Sequence, residues 1–207
     1  PTIVGGVHLS IYPTETLHHA AIDYAVTGEA EISLPELLHT LRRGGDLRDV
    51  RGVAFRVGGP VDQGGQVVVN AAADTVDVDD APMPARHLID NTIYHSFISK
   101  RKNFSVTITS RGCPYKCIFC EQGSKAFRAR SPIKVVDELE LANKEFDIQE
   151  LDFFDSSFTI RKQRVIDICD EIKKRKLDIT WAARTRVDCI TPDVLKAMRS
   201  AGCSRIY

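Results

Sequence analysis

This sequence has no excess of either positive or negative charge. Lysine and arginine together number 28, and so do aspartate and glutamate, so the formal net charge is zero. Without a basic excess, the usual electrostatic basis for binding nucleic acid or an anionic membrane surface is missing, and we expect neither partner. No apolar stretch approaches the roughly 20 residues that span a bilayer. No basic segment followed by an apolar core marks a signal peptide, so we expect a cytoplasmic protein without a membrane span.

The cysteines lack the setting of a disulfide framework. The sequence has 6 cysteines, but without secretory features they do not predict disulfide bonds. Cys169, Cys189 and Cys203 lie among apolar neighbours, and we expect them to be buried as small hydrophobic residues. The chain starts at Pro1 and stops at Tyr207 within a predicted strand, so we expect an internal fragment of a longer protein.

Residues 1–48 alternate between predicted strands and helices. The runs 2–4 and 24–27 have strand composition, and each is followed by a glycine turn. Thr14 is predicted to cap a first helix, and a capping-box spacing that begins at Ser33 predicts the start of a second. This strand–helix–strand–helix order is typical of an open parallel α/β sheet.

Residues 49–100 are predicted to form a β-hairpin and a linker. The runs 52–57 and 66–70 have strand composition and flank a turn-rich segment. Residues 71–91 have little periodicity and several aspartates, which is typical of an ordered but irregular connection between two domains.

Residues 101–207 repeat a strand–helix unit. Repeated units of this kind build a parallel barrel, with chemistry at the carboxyl ends of its strands. About half of such a barrel is present. Ser131, which precedes Pro132, is predicted to cap its first helix. The predicted strands are 105–109, 150–155, 178–186 and 204–207, and the predicted helices are 131–146, 161–176 and 191–202.

The motif with the most chemical content is a group of three cysteines. Cys113, Cys117 and Cys120 have the spacing C-x3-C-x2-C, in a loop that Gly112 and Pro114 make tight. Thiolates suit iron–sulfur clusters, and three of them hold three corners of a cubane while one iron stays open for chemistry. A structural zinc site is the alternative, but it needs four ligands, and no second Cys or His pair has suitable spacing.

These cysteines, with Phe119 before the last and a strand before the first, resemble the motif of the radical S-adenosylmethionine (SAM) superfamily. Nearly the whole chain resembles the subgroup with a cobalamin-binding domain ahead of the radical domain, which includes methyltransferases and anaerobic protoporphyrin ester cyclases. The resemblance implies an α/β fold. Residues 1–48 would be the C-terminal part of a Rossmann-like cobalamin-binding domain, 49–100 a β-hairpin and linker, and 101–207 the first half of a radical SAM (β/α) partial barrel. The narrower resemblance rests on Gly5 to Ser10, Pro13, Glu15, Gly28, Glu29, Glu31, Pro82, Pro84 to Arg86, Ser110 to Pro114, Gly202 and Cys203.

The resemblance implies three cofactors: a [4Fe-4S] cluster, SAM and, in this subgroup, cobalamin. In the family, the amino and carboxylate groups of SAM chelate the open iron, and an electron from the cluster cleaves SAM to a 5′-deoxyadenosyl radical. The radical abstracts a substrate hydrogen, for cobalamin-dependent methylation or for oxidative ring formation. A small-molecule substrate and an electron donor such as flavodoxin or ferredoxin are also implied. Catalytic side chains stay unassigned.

The residues themselves, together with the resemblance, provide candidates for binding residues. Arg184 and Arg186 lie two apart on a predicted strand, hence on one face. They hold SAM or substrate if that face is the barrel interior, and otherwise they are solvated or pair with Asp188. Trp181, at an odd offset, is then expected to pack outside, under a helix. The candidates for SAM or substrate are Tyr115, Phe119, Asp155, Ser156, Arg184 and Arg186, and those for cobalamin are Gly5, Gly6, His8, Ser10, Gly28 and Glu29.

Two other functions stay open from the sequence. In the first, the radical domain is joined to an N-terminal domain that no longer binds cobalamin and serves as a scaffold. In the second, the chain is a non-catalytic metal-binding interaction module. Loading with an iron–sulfur cluster distinguishes the radical enzyme from the metal-binding interaction module. Retention of cobalamin distinguishes it from the enzyme whose N-terminal domain is only a scaffold.

Overall fold

The computed structural model describes residues 1–120 and 125–207, which form two compact units. The first unit is Pro1–Asp77 and the second is Val78–Tyr207, so the division falls inside the segment that the sequence assigns to hairpin and linker. Across the described ranges, no helix has the length and apolar character that crossing a membrane requires.

The first unit is built on a four-stranded mixed sheet. Its elements are β1 (Ile3–Gly5), α1 (Val7–Ile11), α2 (Pro13–Leu17), β2 (Tyr24–Val26), α3 (Ala30–Arg43), β3 (Val53–Val57) and β4 (Gln66–Val69). β1 and β2 are parallel, whereas β3 pairs antiparallel with both β2 and β4. The predicted hairpin is confirmed, and through β3 it joins the N-terminal sheet, which is therefore mixed rather than wholly parallel.

Alternating side chains give this sheet a small core on each face. Val53 packs with Leu37 of α3 on one face. Its neighbour along the strand, Ala54, packs with Leu9 of α1 and Leu17 of α2 on the other. The helices therefore cover the sheet from both sides.

Two predicted helix caps are wrong in this unit. α3 begins at Ala30, so Ser33 lies inside the helix, where its buried hydroxyl has no hydrogen-bond partner among the described residues. Ser33 packs against Gly52 instead, so closely that a Cβ added there would lie 2.4 Å from the Ser33 Oγ. Thr14 lies inside α2, which begins at Pro13, because the fixed φ of proline suits the first helical position. At both positions, the packing of Ser33 and the backbone preference of Pro13 decide where the helix begins, and the predicted capping residue does not.

The second unit is built on a four-stranded parallel sheet. Its elements are β5 (Phe104–Thr107), β6 (Ser110–Arg111), β7 (Arg128–Ala129), α4 (Pro132–Phe146), β8 (Glu150–Phe153), α5 (Lys162–Lys174), β9 (Thr180–Ala183), α6 (Pro192–Ser200) and β10 (Cys203–Ile206). The strand order is β10-β9-β8-β5 with parallel pairing throughout, and β6 and β7 form a separate antiparallel pair. The predicted succession of strands and helices is confirmed, although β9 ends at Ala183 rather than at Arg186.

An aromatic core lies between this sheet and its helices. Phe153, Phe158 and Trp181 are fully buried, with ring centroids 4.7 Å apart for the phenylalanines and 5.0 Å apart for Phe153 and Trp181. Trp181 also donates from Nε1 to the carbonyl oxygen of Ala201 at 2.7 Å. The prediction that Trp181 packs under a helix is confirmed. Because side chains alternate along β8, Asp152 lies on the opposite face of the sheet.

Candidate functional site

The loop that carries the cysteine motif follows β6 directly. Gly112 has a φ of +77°, and a Cβ at this position would lie 2.1 Å from the backbone oxygen of Ala126. Only glycine combines that backbone conformation with so close an approach. The cysteine loop (residues 112–120) therefore begins at a tightly packed base beside the β6–β7 pair.

The three motif thiols differ in exposure. Cys113 is buried, Cys117 is half-buried and Cys120 is exposed, and all three are free. The N–H of Cys120 donates to the carbonyl oxygen of Cys117 at 3.1 Å. Within the described ranges, no group of three or more His, Cys, Asp or Glu side chains has a metal-binding arrangement. The donors thus suit an iron–sulfur cluster in kind and number, while the fold alone does not gather the three sulfurs.

Two predicted binding residues, Tyr115 and Arg186, lie together beside the cysteine loop. The Arg186 guanidinium stacks over the Tyr115 ring at 4.2 Å, and its Nη1 lies 3.7 Å from the Cys117 Sγ. Asp188 accepts from Arg186 at 3.0 and 2.7 Å, and this ion pair raises the pKa of Arg186. Tyr115 Oη is 2.6 Å from the Cys189 Sγ, a hydrogen bond that raises the pKa of Tyr115. A permanent positive charge therefore lies next to one motif thiol.

Arg184 is paired across the sheet. It lies directly after β9 and binds both carboxylate oxygens of Asp152, at 3.0 and 3.1 Å. Its guanidinium also stacks on the Phe154 ring at 3.6 Å. Although the two arginines are two residues apart, each is held by its own carboxylate, Asp152 for Arg184 and Asp188 for Arg186. The charge of Arg184 is therefore already balanced.

The carboxylate of Asp155 is enclosed, whereas its neighbour Ser156 is exposed. Asp155 Oδ1 accepts from the N–H groups of Thr109 and Ser110, at 2.6 and 3.2 Å. Asp155 Oδ2 accepts from the two hydroxyls of the same residues, at 2.5 and 2.8 Å. Asp155 was predicted to contact SAM or substrate, but the structure turns its carboxylate to the start of the cysteine loop. Phe119 is 90% exposed, so its ring is open to a ligand.

Sequence reasoning missed Arg164, a buried arginine on α5. Its Nη2 donates to the carbonyl oxygen of Thr109 at 2.8 Å, and its Nε donates to that of Arg130 at 2.7 Å. Burial lowers the pKa of Arg164. A signal was present, because Arg164 shares the helical face of the buried Ile168 and Ile172, where a charged residue is unusual.

A second missed group is an ion network around Glu138 of α4, beside β5. Glu138 accepts from Arg86 Nη2 at 2.9 Å, from Thr107 Oγ1 at 3.0 Å, and from Arg130 Nη1. The side chains of Glu138 and Arg86 are 2% and 5% exposed. All four residues line a cavity of about 540 Å³ next to β5.

In the first unit, the predicted cobalamin residues lie at the carboxyl ends of the parallel strands β1 and β2. The glycine turn 5–6 leads into α1, and the N–H of Gly28 donates to Ser10 Oγ at 3.0 Å, which joins the two turns. His8 and Ser10 are exposed on α1, and Glu29 is in the cap position of α3. Positions 6 and 28 have open space where a side chain would point.

Comparisons with known proteins agree with this geometry. The family model described as "Radical SAM superfamily" matches residues 107–207. An uncharacterized methyltransferase of Pyrococcus horikoshii is 34% identical over 211 residues, which are 99% of this chain and 44% of that protein. The anaerobic magnesium-protoporphyrin IX monomethyl ester cyclase of Rubrivivax gelatinosus is 31% identical over 209 residues, 97% of this chain and 37% of that protein. The chain thus spans less than half the length of these curated relatives.

A solved structure extends the likeness to both units. The cobalamin-dependent S-adenosylmethionine radical enzyme OxsB, with aqua-cobalamin and S-adenosylmethionine bound, matches with a TM-score of 0.73 and 27% sequence identity. The match covers 99% of this chain and 30% of that one. The fold, the three-cysteine loop and the family match agree with one another, and residues 107–207 of this chain are a domain of the radical SAM superfamily.

Proposed function

We propose that this chain is part of a cobalamin-dependent radical SAM enzyme whose [4Fe-4S] cluster is held by Cys113, Cys117 and Cys120. The observation that carries the proposal is a set of three free thiols on one loop, directly beyond β6, the short strand that follows β5 of the parallel sheet in the matched domain. When bound, the cluster and SAM would supply a 5′-deoxyadenosyl radical for hydrogen abstraction from a small-molecule substrate. An electron donor such as flavodoxin or ferredoxin is part of the proposal.

Arg186 and Tyr115 are assigned to the wall of this site. Arg186 Nη1 approaches the Cys117 Sγ, and a cation beside a thiolate stabilises its charge. The stacked Tyr115 ring holds the guanidinium in place. Arg184 and the exposed Phe119 and Ser156 are assigned to SAM or substrate, with Arg184 oriented by Asp152.

Cobalamin is assigned to the carboxyl edge of β1 and β2. Ligands of open α/β sheets bind at this edge, and the glycine turns leave the backbone exposed there. The hydrogen bond between Gly28 and Ser10 fixes one turn against the other. His8, Ser10 and Glu29 border this surface, and the cobalamin-dependent enzyme OxsB matches the chain across both units.

Methyl transfer to a carbon is the reaction that we propose first, because the relative from Pyrococcus horikoshii is described as a methyltransferase. Oxidative ring formation is the second candidate, favoured by the 31% identity to the cyclase of Rubrivivax gelatinosus. Both reactions begin with hydrogen abstraction, so the assigned residues serve either one.

Anaerobic reconstitution of the full-length protein with iron and sulfide tests the proposal. We expect a brown protein that releases 5′-deoxyadenosine when dithionite and SAM are added. Cys120→Ala should abolish both properties, whereas Cys169→Ala, which changes a buried thiol outside the loop, should keep both. A colourless zinc protein would contradict the radical function, and loss of cobalamin on gel filtration would contradict the cobalamin assignment.

A further inference from the structure

The cysteine loop has little regular structure of its own to hold it. β6 and β7 contribute only two residue pairs, and so short an isolated ladder is marginally stable at best. The peptide Thr109–Ser110, called here the entry peptide, links β5 to Gly112 and the loop. Contacts with the rest of the unit must therefore fix the entry peptide.

Asp155 holds the entry peptide from the side of β8. A carboxylate has about four acceptor positions, and here the two N–H groups and the two hydroxyls of the entry peptide fill all four. Asp155 is fully buried. Hydrogen bonds to a buried charged group are among the stronger ones in proteins. The carboxylate has no acceptor position left for a ligand.

Arg164 holds the other side of the same peptide. Its Nη2 donates to the Thr109 carbonyl oxygen, which also accepts from the N–H of Arg130 at 2.9 Å. Its Nε donates to the carbonyl oxygen of Arg130, the residue that follows β7. One guanidinium on α5 thus ties together the chain before and after the loop.

We propose that Asp155 and Arg164 are positioning residues that hold the entry peptide from opposite sides and keep the cysteine loop ready for its cluster. This inference rests on the proposed iron–sulfur site. A loop fixed during folding loses less conformational freedom when it binds its cluster than a free one does. Groups that orient the ligands of a metal typically change its affinity 10- to 100-fold when they are removed.

The test uses the reconstituted full-length protein and the rate at which a chelator removes its iron. We expect Asp155→Ala to release iron on the order of tenfold faster than the parent. Asp155→Asn should lie in between, because an amide oxygen still accepts from the two N–H groups. Arg164→Lys should also be faster, because an ammonium lacks the planar fork that reaches both carbonyls. The control is Asp170→Asn, an exposed carboxylate on the same helix as Arg164.

A second readout needs no metal. Hydrogen exchange at the amides of Thr109 and Ser110 should be slow in the parent and faster in Asp155→Ala, with Asp155→Asn closer to the parent because its amide oxygen still accepts from both N–H groups. A general loss of stability would lower the melting temperature, but it would leave the rate of iron release unchanged at temperatures well below the melting temperature. If Asp155→Ala does not fold, Ser110→Ala removes one of the four hydrogen bonds and should still accelerate iron release.

The two proposals fail in different ways. Iron release at the parental rate in the Asp155 and Arg164 variants, from a normally loaded protein, would overturn the positioning role alone. A parent that takes up zinc or no iron would overturn the proposed function, and the role in cluster binding with it.

Discussion

Replacing Glu138 with glutamine would remove one buried charge while keeping the size of the side chain. Glu138 is 2% exposed and pairs with Arg86, which is 5% exposed, and with Arg130, which is 11% exposed. The glutamine oxygen can still accept a hydrogen bond, but it cannot balance two guanidinium groups. The variant leaves positive charge buried without its counter-ion.

The cost follows from this geometry. Removing one partner of a buried ion pair typically destabilises a protein by about 3–5 kcal/mol. The cavity of about 540 Å³ beside the network is large enough to admit water. Water there would hydrate the arginines, so we expect a value near the lower end, about 3 kcal/mol. For a unit of about 130 residues, this corresponds to a melting temperature lower by on the order of 10 °C.

Tryptophan fluorescence during urea unfolding measures the stability of the second unit, which contains Glu138. The sequence has 1 tryptophan, and Trp181 lies in the core of the second unit. The matched control is Glu145→Gln, which changes an exposed carboxylate on the same helix and should shift the free energy of unfolding by less than about 0.5 kcal/mol. If Glu138→Gln unfolds at the same urea concentration as Glu145→Gln, the network does not stabilise the unit as described.

Three further predictions concern thiols, pH and the loop base. Burial raises the pKa of Cys169 to about 12 and that of Cys203 to about 11. Iodoacetamide at neutral pH should therefore label Cys120 in the native chain, and should label Cys169 and Cys203 only when the chain is unfolded, as mass spectrometry would show. Labelling of Cys169 in the native chain would contradict the fold. Burial raises the pKa of Glu150, but hydrogen bonds from two backbone N–H groups and an arginine outweigh it, and the net pKa lies below the ordinary 4.5. This stabilisation is present above about pH 4.5 and is lost as the pH falls through the lowered pKa. Glu150→Gln should therefore be less stable than the parent at neutral pH and should lose less stability than the parent in acid, as urea titrations at several pH values would show. The same acid dependence in the variant and the parent would contradict this role of Glu150. Gly112→Ala would place its Cβ 2.1 Å from a backbone oxygen and should abolish iron loading, measured by metal analysis; full loading would show that the loop base can rearrange.

Helix starts show how far local sequence reaches. Ser131 was predicted as a cap and is one, since its Oγ accepts from the N–H of Lys134. Ser33 carried a similar signal, yet α3 begins three residues earlier, at Ala30. The difference is Pro132, whose fixed φ and missing N–H favour the first helical position directly after Ser131. At Ser33 the proline comes two residues later, and the helix extends backwards.

The sequence by itself determined the three-cysteine motif, the order of the main strands and helices of the second unit and the burial of Trp181, because these depend on spacing and periodicity over a few residues. Tertiary structure alone decided which partner each buried charge has. Asp155 meets the entry peptide across 46 residues, Arg164 meets Thr109 across 55, and Glu138 meets Arg86 across 52. A charged residue on an apolar face indicates a buried charge, and a buried charge needs a hydrogen-bonding or ionic partner. Only the packing of β5, β8, α4 and α5 brings that partner within hydrogen-bond distance.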